Sequence, residues 1–212
     1  MVRNPFMKVA TATVVLGVLT LVGSGVAWAA PVASGTASCP VQSGSGTLSP
    51  GLTAAGHPGG VKITFKAKLG PSSVAGCSSS ASLASGLPVA ITSGTLTGSG
   101  YFNGPGSASG NSCVNFDGPD ILGTIKATVH WVASHPIAPS HVSYTGGTPA
   151  VSGSPTDTIS LPATGTTTAK TGSLALPPLP DTITLVTNIP STCLVSSPPF
   201  THFTISGGTV VL

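Results

Sequence analysis

The chain has 212 residues, and only 5% of them are charged, with a formal net charge of +3; about 25% charged is usual for a soluble protein. Disorder calls for high charge and low hydropathy, whereas here 40% of residues are hydrophobic and the mean hydropathy is +0.44. Nucleic acid is excluded as a partner, because a strong grip neutralises roughly 6–10 phosphates with Lys and Arg, and beyond residue 29 the chain offers five lysines against four aspartates, with no arginine and no glutamate.

The chain opens with Arg3 and Lys8 and then carries no charge from Val9 to Ala30. An apolar stretch spans residues 14–22, and Ala27-Trp28-Ala29 follows in a small-x-small pattern. A basic start, an apolar middle and such an exit predict a secretory signal peptide over residues 1–29, cleaved after Ala29. Cleavage after Ala30 would place Trp28 at −3 and Pro31 at +1, both unfavourable. The alternative is an uncleaved anchoring helix, since the uncharged run approaches the length of a bilayer span; the Gly23-Ser24-Gly25 break speaks against it. The expectation is a secreted protein, extracellular or associated with the cell envelope, with no membrane span after cleavage.

From residue 30 onward the pattern is that of strands. Val61, Ile63, Phe65, Ala67 and Leu69 alternate with Lys62, Thr64, Lys66 and Lys68, which predicts a strand with one buried and one wet face. The lysine row reads as solvation of an open face or protection of an edge strand. A second strand is predicted over residues 121–131, with Ile125, Ala127, Val129 and Trp131 on one face. Weaker runs occur at residues 88–97, 141–145, 156–161, 181–188, 200–206 and 209–212, separated by Gly, Pro, Ser and Asn. Residues 98–111 read as a long Gly-rich hairpin tip. The proline-bearing stretch 134–140 is a candidate seam between two β-halves of one domain covering 30–212.

Four cysteines, Cys39, Cys77, Cys113 and Cys193, lie in the exported part. An even count outside the cytoplasm predicts two disulfides, and four cysteines allow three pairings. A hairpin joining the run that begins at Cys39 to the strand ending at Leu69 would bring Cys77 back to Cys39, leaving Cys113 with Cys193. No C-x-x-C pair and no histidine at finger spacing from a cysteine suggest zinc.

Catalytic chemistry has little to draw on. Asp117 and Asp120 are the one close acidic pair, and a turn explains them better than a calcium site wanting six to eight oxygens. His130, His135 and His141 read as independent surface positions. There is no G-x-S-x-G elbow and no Gly-rich phosphate loop. Leu161-Pro162-Ala163-Thr164-Gly165 matches the sortase signal in its five letters, but no apolar span and basic tail follow it. No catalytic, metal or cofactor-binding residue is therefore assigned. The competing expectation is a secreted hydrolase whose catalytic residues assemble from distant positions.

The order of segments, with Gly76-Cys77, Asn111-Ser112-Cys113, Gly123-Thr124-Ile125-Lys126 before the tryptophan strand, and Ser191-Thr192-Cys193 before a Gly-Gly-Thr-Val end, is similar to uncharacterised secreted β-rich proteins of actinobacteria with an Ig-like sandwich. That resemblance implies export and a β-sandwich, and carries no site residues. The sequence thus predicts an all-β, antiparallel, Greek-key-like sandwich, non-enzymatic and acting through its surface. Its expected partners are a cell-wall glycan or another envelope protein, and Tyr101 and Phe102 are the candidate surface contacts.

Overall fold

The computed structural model describes residues 29–53, 59–71, 76–102, 122–144, 158–162, 167–175, 182–188 and 199–212. In chain order the strands are β1 (Ala33–Ser34), β2 (Ala37–Leu52), β3 (Val61–Leu69), β4 (Ser78–Ser79), β5 (Ala81–Leu83), β6 (Pro88–Val89) and β7 (Ile91–Phe102). There follow β8 (Leu122–Ala133), β9 (Ser140–Tyr144), β10 (Thr158–Pro162), β11 (Thr167–Gly172), β12 (Thr182–Asn188) and β13 (Phe200–Val211). Ten of these form one sheet in the order β10-β12-β13-β2-β3-β7-β8-β9-β11, with β4 pairing on β2, and β1-β5-β6 form a second, smaller sheet. Every pairing is antiparallel.

The all-β antiparallel sandwich expected from the alternation is therefore present. β2 with β3, β7 with β8, β8 with β9, and β12 with β13 are neighbours both in space and in sequence, whereas β4, β5 and β6 intervene along the chain between β3 and β7. The order β13-β2-β3-β7, in which the last strand returns by a long connection to lie beside the first, is Greek-key-like. The two ends of the path, β10 and β11, are separated along the chain by residues 163–166 alone. An extended chain covers at most about 3.6 Å per residue, which holds Pro162 and Thr167 within about 18 Å of each other. The pairing sense makes β10 and β11 run in the same direction, one bonded to β12 and the other to β9. The two ends of the sheet are thus held near each other by the chain, so the long sheet curls over its own inner face.

That inner face is the core. Leu48, Ile63, Phe65, Leu96, Ile125, Val129, Val142, Ile183, Leu185, Phe203, Ile205 and Val210 are buried in one continuous cluster. Full burial of one such side chain contributes about 1.5–3 kcal/mol. The cross-strand row Phe203, Gly46, Phe65, Gly98, Ala127, Val142 alternates large and small at its centre. A Cβ added at Gly98 would meet the Phe65 ring at 2.1 Å, and one added at Gly46 would meet the Phe203 ring at 2.0 Å. The rings occupy the space that side chains at these glycines would need. This corrects the hairpin-tip expectation for residues 98–102, which continue β7, because Gly98 and Gly100 are strand positions under Phe65 and beside Ile125. A second correction concerns residues 200–212. Two runs were expected, but β13 is continuous, with a register shift opposite Val186 and Thr187 and with Gly208 at φ +127° against the Thr184 carbonyl.

The small sheet and the first residues close one end. The amide of Ala33 donates to Ser173 Oγ at 3.1 Å, and Ser140 Oγ donates to the Ser173 carbonyl at 2.5 Å. Trp131 Nε1 donates to Ser140 Oγ at 2.8 Å. Ser140 and Ser173 are fully buried, and this chain of donors and acceptors satisfies them. The stretch 134–140 joins β8 to β9, which pair directly, and its Ile137 belongs to the common core.

Cys39 and Cys77 are bonded, 38 residues apart in sequence. The β2–β3 hairpin and the pairing of β4 with Ala37 and Ser38 bring them together, as the sequence led us to expect. Closing a loop of that length contributes about 4 kcal/mol by removing conformational entropy from the unfolded chain. Cys113 and Cys193 lie outside the described residues.

Gly98→Ala is expected to lower stability by about 1–3 kcal/mol through overpacking against Phe65. Gly76→Ala, where an added Cβ meets nothing within 4 Å, should stay within about 0.5 kcal/mol of the parent. Urea unfolding of the two variants measures the contrast.

Candidate functional site

With its interior filled by side chains, the domain presents chemistry on the outer face of the long sheet. The same alternation that buries one set of residues dictates this face. On β3, Lys62, Lys66 and Lys68 point out beside Thr64; on β7, Thr95, Thr97, Ser99 and Tyr101 do so; on β8, Lys126, Thr128 and His130. Register aligns them into rows. One runs His202, Thr47, Thr64, Ser99, Lys126, Ser143, and the next runs Thr204, Ser45, Lys66, Thr97, Thr128, His141. Thr47 and Thr64 share a hydroxyl–hydroxyl bond of 2.7 Å, and Thr128 Oγ1 lies 3.0 Å from His141 Nδ1.

The sequence placed three lysines on one strand face, and edge protection was one reading of them. The structure removes that reading, since β3 lies between β2 and β7 with both edges bonded. Lys126, which sequence reasoning left apart, joins the same face two strands away, about 10 Å across the sheet. Its period-two position in β8, between the inward Ile125 and Ala127, was the available signal. Between Lys66 and Lys68 the sheet carries a shallow depression of about 190 Å³, bordered by Ser43 and Ser45 and floored by Gly44 and Ala67. It sits where β2 shifts register between Val41 and Ser43.

Tyr101, a predicted contact, is 49% exposed and directly opposite Lys62; such pairs have their Cβ atoms about 4.5–5.5 Å apart. Phe102 follows it in β7 with its backbone opposite Val61, and its side chain lies outside the described residues. The two residues are therefore not assigned a common surface. Among the described side chains, Val132, on β8, is the other large apolar residue exposed on the long sheet.

Ala29 and Ala30, the predicted cleavage boundary, are exposed and outside any strand. The backbone is tied in from the next residue, where the Pro31 carbonyl accepts from the Ala138 amide at 2.8 Å. Residues 1–28 lie outside the described residues, and among those described no helix is long and apolar enough to cross a membrane.

Three imidazoles touch hydroxyls, at Thr128–His141, Ser134–His135 and Thr201–His202. A nucleophile–base pair also needs an acid to orient the imidazole, and all four aspartates lie outside the described residues. Among the described residues no three His, Cys, Asp or Glu side chains are grouped to hold a metal ion. Leu161 and Pro162 of the sortase-like pentapeptide pair with Ile183 and Thr182 in the sheet.

Tyr101→Ala is expected to leave unfolding free energy within about 1 kcal/mol of the parent, as for a surface position; a loss as large as that of a core truncation, about 3–5 kcal/mol, would assign the ring to packing instead. Comparison with protein-family models, curated proteins and solved structures finds no match for this chain.

Proposed function

We propose that the chain is exported by its N-terminal segment, loses residues 1–29, and serves as a non-enzymatic extracellular or cell-envelope module that binds a glycan of the wall through the outer face of β2, β3, β7 and β8. One observation carries this reading: the face brings hydroxyls, lysines and imidazoles into register with Tyr101 among them, on a sheet whose other face packs the core. Hydroxyl pairs such as Thr47–Thr64 present donors and acceptors at the regular spacing of a sheet, suited to a polymer that repeats hydroxyls along its length. A tyrosine adds an apolar ring face with a polar tip. The Cys39–Cys77 bond supports an oxidising compartment, and Ala29–Ala30 offer a peptidase an exposed strand-free peptide.

Purified mature protein mixed with isolated cell wall at low salt should sediment with the wall, and its recovery in the supernatant would overturn wall binding. Intact mass of the exported form should correspond to a chain from Ala30 to Leu212. A mass that retains residues 1–29 would restore the anchored reading, and one ending at Thr164 would restore sortase cleavage.

A further inference from the structure

We infer that the ligand of this face is an anionic polysaccharide, held by Lys62, Lys66, Lys68 and Lys126, with the depression lying between Lys66 and Lys68. The inference deepens the wall-binding reading and rests on it. Beyond residue 29 the chain has five lysines, and four of them stand on one face of three adjacent strands. Solubility does not explain the concentration. The outer positions of β13 are His202, Thr204, Ser206 and Thr209, exposed and without any lysine, so this protein solvates a strand face with hydroxyls and an imidazole. Edge protection does not explain it either, because β3 is bonded on both sides.

No acidic side chain stands among the described residues, so the lysines face outward without a described carboxylate to neutralise them. Along β3 successive outward positions are about 6.6–6.8 Å apart, which sets Lys66 and Lys68 at neighbouring points of one line and the notch between them. Tyr101 beside Lys62 adds a ring surface for a sugar at the end of that line. Complementarity of charge selects an anion, and the flanking Ser and Thr hydroxyls select a ligand with hydroxyls of its own. Duplex nucleic acid carries one charge per about 1.7 Å, far denser than this row, and a lipid surface would want apolar residues on the face, where among the described side chains Val132 is the one large aliphatic exposed.

The test uses the full mature protein and immobilised polygalacturonate, with neutral dextran as its uncharged counterpart. Binding to polygalacturonate at low salt, absent on dextran and falling as salt is raised, is expected. The double variant Lys66→Gln, Lys68→Gln should weaken it on the order of tenfold, with an unchanged urea unfolding curve showing that the fold is intact. Equal binding to both polymers, or an undiminished double variant, would overturn the anionic ligand while wall sedimentation still holds. Tighter binding to a thymidylate oligonucleotide or to phosphatidylglycerol vesicles than to polygalacturonate would overturn it in favour of those classes. Absence of binding to polygalacturonate and to isolated wall alike would remove this inference and the wall-binding reading together.

Discussion

Two phenylalanine rings lying over glycines on neighbouring strands set the shape of this protein. Phe65 covers Gly98 and Phe203 covers Gly46, within one row across the sheet. A sheet that rolls over its own face narrows toward the middle of that face, and two large side chains cannot stand opposite each other there. Pairing large with absent lets strands keep their spacing while the interior fills to the density of a packed solid. Glycine in a strand is otherwise a loss of backbone entropy and of contacts; a ring on the adjacent strand restores the contacts.

That packing decides where function can be. The long sheet, in which β13 returns to pair with β2, curls over a core occupied by Leu, Ile, Val and Phe. The outer face is what remains. There the same period of two that built the core lines up hydroxyls, imidazoles and lysines in register, so the position of each polar residue is fixed by its apolar neighbours. Four lysines on one face of a chain so poor in charge are a concentration the fold creates from scattered positions at 62, 66, 68 and 126.

Strands with clean alternation were legible in the sequence. Val61–Leu69 is found at the bounds expected, and β8, β9, β10 and β12 lie within a few residues of theirs. The misreadings fell on glycine. Residues 98–102 looked like a turn because glycine permits turns, and Gly207-Gly208 looked like a break between strands. What distinguishes a turn glycine from one beneath an aromatic ring is a residue on another strand, invisible to any local pattern. β11 escaped notice because Thr-Thr-Ala-Lys-Thr-Gly carries no apolar alternation; it is a strand because β9 supplies its partner.

By itself the sequence determined the fold class: alternating short strands, and a cysteine pair brought together by a hairpin. These follow from local chemistry, from the reach of a turn and from the period of extended backbone. Tertiary structure alone decided that β3 is central rather than an edge, that Lys126 shares its face, that β13 returns to pair with β2, and that Tyr101 stands beside Lys62. Each of these depends on which strand bonds to which, a choice made by side chains far apart in sequence packing against one another.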